Sequence, residues 1–126
     1  MNDTKNFSVK EFACHHCGQN KIDQRVIDLC QKIRDELGVP VRVNSGYRCP
    51  AHNARVGGVK GSRHVLGHAA DLSSSRSGML MFEAVKRLQG EGRLPELGYC
   101  ILYKTKNFIH VDIDKRPSGS MWEVRP

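Results

Sequence analysis

Two histidines and a carboxylate stand out as candidate ligands for a metal ion. His64 and Asp71 lie seven residues apart in the stretch SRHVLGHAAD at 62–71, and His110 lies in the apolar stretch FIHVD at 108–112. Imidazole and carboxylate both bind Zn²⁺ well, at about 2.0–2.2 Å. A single histidine in a polar loop usually hydrogen-bonds or faces solvent. Three protein ligands together leave a fourth position for water, which is typical of a catalytic rather than a structural zinc.

A second group of metal-binding residue types occurs nearer the amino terminus. Cys14 and Cys17 form a C-x-x-C, and Cys49 and His52 form a C-x-x-H. These four residues are compatible with a structural zinc site, with a disulfide or with reduced thiols, and the pattern leaves all three open. The chain has five cysteines, so at least one thiol lacks an intramolecular disulfide partner.

Hydrophobic spacing and capping residues predict the helices that position these candidates. Asp23 is a suitable N-cap for a helix that ends near Leu37, before Gly38. Ser77 is a suitable N-cap for a second helix over 79–89, and a short helix is expected over 50–56.

Alternating and β-branched residues predict the strands. One strand is expected over 40–44, and an antiparallel hairpin over 98–103 and 108–113, with its turn at 104–107. The serine-rich stretch 73–78 is predicted to be a flexible connection, and Trp122 is expected to pack over the sheet. Helices and strands are segregated along the chain, which favours an α+β fold.

Length and charge limit the classes of function. The 126 residues suffice for one domain, with 39% hydrophobic and 26% charged residues and a net charge of +7. No apolar run approaches the roughly 20 residues that span a bilayer, so membrane insertion is not expected. The polar amino terminus predicts a protein that is cytoplasmic as synthesised. Its basic residues are scattered and not interleaved with aromatics, so nucleic acid is not an expected partner.

Four motifs in this chain resemble those of the D-alanyl-D-alanine carboxypeptidase family of zinc peptidases, in the family's order. They are C-x-x-C-G at 14–18, S-G-Y-R-C-P at 45–50, S-x-H-x-x-G-x-A-x-D at 62–71 and F-I-H-V-D at 108–112. Relatives in that family include the vancomycin-resistance dipeptidases, several phage endolysins and the hedgehog domain.

This resemblance implies a single zinc peptidase domain over residues 1–126, with a small antiparallel sheet flanked by helices. It implies that His64, Asp71 and His110 hold Zn²⁺. The expected reaction is cleavage of bonds involving D-amino acids in peptidoglycan stem peptides, by a monomer acting as a carboxypeptidase or an endolysin-type endopeptidase. A phage or prophage lysin would be released to the cell wall.

The resemblance also implies roles for other residues. Arg48 would hold a substrate carboxylate or polarise the scissile carbonyl, and Ser62 would line the substrate pocket. Several relatives have Glu or Asp three residues before the last zinc histidine, where this chain has Asn107, which cannot accept a proton. Asp112 shares a strand face with His110 and is predicted either to replace that catalytic base or to orient the histidine. The missing acid leaves open an alternative function, a catalytically silent zinc-binding recognition domain.

Overall fold

A five-stranded mixed sheet is the centre of the computed structural model, which describes all 126 residues. The helices and strands follow in the order of a short 3₁₀ helix at Val9–Phe12, α1 Gln24–Leu37, β1 Val41–Ser45, α2 Pro50–Arg55, β2 Ala69–Ser74, α3 Gly78–Gly90, β3 Tyr99–Tyr103, β4 Phe108–Asp112 and β5 Trp122–Arg125. The predicted α+β class is therefore confirmed. None of the helices combines the length and the apolar character needed to cross a bilayer.

The sheet has the strand order β1-β2-β4-β3-β5. Strands β1, β2, β4 and β3 are antiparallel to their neighbours, and β5 lies parallel to β3 at the edge. Register matters at the centre of the sheet, because it pairs Asp71 of β2 directly with His110 of β4. His110 in turn pairs with Ile101 of β3 on its other side.

Two expectations are corrected by the sheet. Residues 73 and 74, predicted to be flexible, form the end of β2, because the hydrogen bonds of this central strand outweigh the weak strand propensity of its serines and alanines. The tail does not only pack over the sheet but joins it as β5, which makes the sheet mixed. Trp122 starts that strand, and its ring meets Phe82 of α3 edge-on at 5.7 Å.

The two faces of the sheet have different surroundings because successive strand residues point to opposite sides. One face is covered by α1 and α3, and its buried residues include Ala70, Leu72, Cys100, Leu102, Ile109 and Val111. The opposite face carries Asp71, His110 and Asp112, which alternate with those core residues. The metal-ligand candidates on the strands therefore all belong to the face without long helices.

The predicted helix ends are confirmed for both long helices. The Asp23 side chain accepts a hydrogen bond from Arg25 N–H at the start of α1, and Gly38 ends that helix in the left-handed region at φ 68°. Ser77 accepts from Leu80 N–H at the start of α3.

Gly67 allows the loop that carries His64 to pack against the segment just before α1. Its φ is +75°, and a Cβ at this position would lie 1.9 Å from the carbonyl oxygen of Lys21. Its own carbonyl accepts a hydrogen bond from Asp23 N–H at 2.8 Å. Only glycine permits both the dihedral angle and the close approach.

Candidate metal centre

Three side chains from distant parts of the sequence converge above the open face of the sheet. Asp71 of β2 and His110 of β4 are cross-strand neighbours, and His64 reaches them from the loop before β2. Asp71 Oδ1 lies 3.2 Å from His64 Nε2 and 3.1 Å from His110 Nδ1. The ligand atoms of all three residues lie within 4.8 Å of one another, and the side chains are largely buried.

In each histidine, the ring nitrogen that faces away from Asp71 contacts a hydrogen-bond acceptor, and this contact fixes the position of the ring hydrogen. His64 Nδ1 lies 2.8 Å from the Gly46 carbonyl oxygen, which can only accept, so Nδ1 carries the hydrogen and Nε2 keeps its lone pair. His110 Nε2 lies 2.8 Å from Asp112 Oδ2, and a carboxylate likewise fixes the hydrogen on Nε2. Two imidazole lone pairs and a carboxylate oxygen can therefore be directed at one point.

This donor set fits a zinc ion. Four ligand atoms at about 2.0–2.2 Å in a tetrahedron would be roughly 3.3–3.6 Å apart, close to the observed 3.1 and 3.2 Å. Burial alone would lower the pKa of His110, but the carboxylates of Asp112 and Asp71 raise it to about 9.

Asp71 remains ionised in the same setting. Its burial would raise the pKa of the carboxyl, but its contacts with the His110 and His64 rings hold that pKa far below its ordinary value. A buried carboxylate between two imidazoles strongly attracts a positive charge.

Arg48 lies beside the three candidate ligands with its guanidinium held from three sides. Its Nη2 is 3.4 Å from Asp71 Oδ2, its Nε donates to Ser45 Oγ at 3.0 Å, and its Nη1 donates to Asn53 Oδ1 at 3.0 Å. Its backbone N–H also donates to the His64 carbonyl at 3.1 Å. These contacts fix the orientation of the planar guanidinium beside the three candidate ligands.

Asp112 lies beneath His110 and is fully buried. Besides His110, its carboxylate accepts two hydrogen bonds from Arg116, at 3.1 and 2.9 Å, and one from Asp114 N–H at 3.1 Å. Burial would raise the pKa of Asp112, but His110 and Arg116 lower it below its ordinary value. Such a carboxylate is suited to orienting His110 and is a poor proton acceptor.

A cleft of about 430 Å³ opens over the centre. Ser62 lines it, but its hydroxyl accepts a hydrogen bond from His64 N–H at 3.2 Å, which contributes to the shape of the loop. Asp71 is the one carboxylate among the lining residues, whereas four arginines line the cleft: Arg48, Arg63, Arg116 and Arg125. The surroundings of the centre are therefore rich in cationic donors.

Asn107 does not line this cleft. It lies in the turn between β3 and β4 at φ 59°, and its Oδ1 accepts from Gly78 N–H at 2.7 Å, at the start of α3. The position three residues before His110 thus joins a hairpin to a helix in this chain. His68 also lies outside the centre, since its ring contacts Asp114 at 3.0 Å.

Several residues at the site have no clear signal in the sequence. Asn53 holds Arg48 and also donates to the Val59 carbonyl at 2.9 Å, so it ties the short helix α2 to the cleft loop. Tyr103 and Arg125 enter the cleft from β3 and β5, which become neighbours only through the sheet. Arg116 belongs with them, because a spacing of four indicates an ion pair only on a helix, and here the pair with Asp112 forms across the loop after β4.

Comparison with known proteins adds two findings. Residues 5–112 match the family described as peptidase M15. The zinc D-Ala-D-Ala carboxypeptidase of Streptomyces albus G is similar to this chain, with 37% identity over 70 residues. That similarity covers 55% of this chain and 28% of the relative, so the chain spans little more than a quarter of the relative's length.

Proposed function

Because the chain belongs to the peptidase M15 family, we propose that it is a zinc-dependent peptidase that cleaves bonds involving D-amino acids in bacterial peptidoglycan. The carrying observation is the convergence of His64, Asp71 and His110 within 4.8 Å in a cleft that Arg48 also lines. The relative from Streptomyces albus G, a zinc D-Ala-D-Ala carboxypeptidase by name, supports this choice of metal and substrate.

In the proposed mechanism the chain's own residues orient the ligands and hold the substrate. Gly46 and Asp112 fix the hydrogens of His64 and His110, so that both lone pairs face Asp71. Bound zinc supplies Lewis acidity, which polarises a carbonyl and brings the pKa of water from about 15.7 toward roughly 7. Arg48 donates hydrogen bonds either to the oxygen of the scissile carbonyl or to the terminal carboxylate of the substrate.

Asp112 is proposed as an orienting residue rather than as the general base. All its visible contacts are to His110, Arg116 and backbone N–H, and it does not line the cleft. A group that accepts a proton from a reacting water must lie within about 2.6–3.2 Å of it, directly or through one further water. Ser62 remains a proposed substrate contact, since it lines the cleft beside His64.

The second candidate function is a zinc-binding recognition domain without catalysis. The observation that favours it is the scarcity of acid groups at the cleft, where Asp71, a candidate ligand, is the sole lining carboxylate. General acid–base assistance typically contributes 10²–10⁴-fold to a rate. A site without it can bind a stem peptide through zinc and arginine while cleaving it poorly.

Both functions are tested by incubating the purified chain with soluble peptidoglycan fragments and identifying the products by mass. Loss of a terminal D-alanine would indicate a carboxypeptidase, and separation of cross-linked stems an endopeptidase. We expect a chelator to abolish cleavage, added zinc to restore it, and His64→Ala to lack activity while His68→Ala, the matched control, retains it. Cleavage that is insensitive to chelator would contradict the proposal, and binding without cleavage at any zinc loading would favour the recognition domain.

A further inference from the structure

A second set of soft ligands lies in the amino-terminal region, apart from the three candidate ligands of the cleft. The sulfur atoms of Cys14, Cys17 and Cys49 all lie within 4.8 Å of one another. None of them is bonded in a disulfide. Three mutually adjacent thiols cannot all pair as disulfides, whereas thiolates grouped in this way are the preferred ligands of zinc.

The backbone around these sulfurs forms a tight turn and directs amide hydrogens at two of them. Gly18 N–H donates to the Cys14 carbonyl at 2.9 Å and Gly18 has a φ of +75°, so the C-x-x-C-G segment closes as a tight turn with both sulfurs on it. Cys49 N–H donates to Cys14 Sγ, and His52 N–H to Cys49 Sγ, each at 3.4 Å. Amide hydrogens directed at sulfur favour the thiolate over the thiol.

A fourth ligand is available from the turn itself. His16 Nδ1 lies 3.5 Å from Cys49 Sγ. It is not grouped with all three sulfurs within 4.8 Å, so its ring has to move toward the ion on binding. A zinc ion with a sulfur at about 2.3 Å and an imidazole nitrogen at about 2.0–2.1 Å, at the tetrahedral angle, separates those two atoms by roughly 3.6 Å. The ring of His52 stacks on His16 at 6.0 Å, nearly parallel at 14°, and only its backbone contacts a sulfur.

We propose that Cys14, Cys17, Cys49 and His16 bind a second zinc ion with a structural role. Four protein ligands close the coordination shell and leave no position for a substrate. The three thiols would lose their protons on binding, so the uptake of one zinc would release up to three protons. In this ligand set His16 takes the place that the C-x-x-H spacing suggested for His52.

This second zinc would connect the amino-terminal segment to the segment that carries Arg48. Tyr47 is buried with Cys14 and Cys49, and its backbone N–H donates to the Phe12 carbonyl at 2.8 Å. Cys49 directly follows Arg48 in the chain. An ion held by Cys49 and the amino-terminal turn therefore restrains the backbone on both sides of the arginine.

Metal content and a cobalt spectrum test the proposal on the whole chain, purified without oxygen. We expect two zinc equivalents in the wild type, one in Cys17→Ala and one in His64→Ala, with Cys100→Ala as the control that keeps two. Cobalt substituted for zinc should give a sulfur-to-cobalt charge-transfer band that survives in His64→Ala. Because the centre at His64 has no sulfur ligand, this band in the wild type decides the question even if Cys17→Ala does not fold.

Alanine variants of the three nearby histidines test which of them is the fourth ligand. His16→Ala should weaken zinc binding at the cysteines and shift the cobalt spectrum, whereas His15→Ala and His52→Ala should leave both as in the wild type. A stronger effect of His52→Ala than of His16→Ala would overturn the assignment of His16. Wild-type protein with one zinc equivalent and no sulfur-to-cobalt band, or with a disulfide among these cysteines under anaerobic purification, would overturn the site itself.

Discussion

At the scale of single residues, the site depends on the hydrogen-bond partners behind the candidate ligands. The carbonyl of Gly46 and the carboxylate of Asp112 each accept the hydrogen of one histidine and so direct its lone pair toward Asp71. Arg48 is fixed in the same manner by Ser45 and Asn53. Loss of such a partner typically costs about 10–100-fold in metal affinity or activity.

Replacing Arg48 by lysine should lower kcat/KM by about a hundredfold, because an ammonium cannot reproduce the planar, multiply bonded guanidinium. Steady-state kinetics on a stem peptide would show whether KM or kcat changes. A rise in KM would assign Arg48 to the substrate carboxylate, and a fall in kcat to the developing charge. Arg55→Lys, on the exposed side of α2, is the matched control. Unchanged kcat and KM in Arg48→Lys would show that Arg48 takes no part in the mechanism.

Replacing Asp112 by asparagine should weaken zinc binding by about 10–100-fold, since an amide orients His110 less strongly than a carboxylate does. Zinc titration against a competing chelator measures this effect, and turnover at saturating zinc should fall much less. Asp114→Asn, which changes a carboxylate that contacts His68 instead, serves as the control. Unchanged zinc affinity together with a loss of turnover above about a hundredfold would instead identify Asp112 as the base.

At the scale of helices and strands, pairing and turns bring the ligands together. The antiparallel pairing of β2 with β4 places Asp71 opposite His110, and a shift of one residue would turn either side chain into the core face. The turn before β4 helps to hold this register. Asn107 supplies both the left-handed dihedral of that turn and a hydrogen bond to the start of α3.

Asn107→Ala should therefore destabilise the fold without altering the chemistry. We expect a loss of about 1–3 kcal/mol in the free energy of unfolding, from one hydrogen bond and from a left-handed residue that alanine adopts poorly. Urea denaturation measures this loss, and Asn107→Gly separates its two parts because glycine tolerates the dihedral. A fall in turnover at unchanged zinc content would show instead that Asn107 participates in catalysis.

At the scale of the whole molecule, the sheet separates the stabilising core from the site. α1 and α3 cover one face with apolar side chains, and the other face is left for polar groups that would be costly in a core. The chain carries a net charge of +7, and four arginines line the cleft. Such a charge distribution attracts anionic polymers over distances of about a Debye length.

Hydrolysis of intact, anionic cell wall should accordingly be sensitive to salt. Raising the ionic strength from about 0.01 to 0.15 M shortens the Debye length from roughly 30 to 8 Å, which screens the attraction. We expect the rate on insoluble wall to fall severalfold, and the rate on a short soluble stem peptide to change much less. Equal salt effects on both substrates would show that the charge does not act through attraction to the wall.

The sequence alone was sufficient to predict local structural features and to identify the candidate metal ligands. The caps at Asp23 and Ser77 and the hairpin around Asn107 depend on interactions within a few residues, so their signals are present in the chain itself. The α+β class follows from the order of helices and strands along the chain. Residue type, motif spacing and the resemblance to the zinc peptidase family together indicated His64, Asp71 and His110, the metal-ligand candidates that the structure brings together.

Only the tertiary structure decided what these residues contact. Ala69–Ser74 lacks strand-forming residues and becomes a strand because neighbours on both sides satisfy its backbone. Trp122–Arg125 becomes the edge strand for a similar reason. The burial of Asp112 beneath His110 and Arg116, and the support of Arg48 by Asn53, arise when separate segments pack together. Such contacts leave little local pattern, because they depend on the position of partners elsewhere in the fold and not on the residues next to them in the chain.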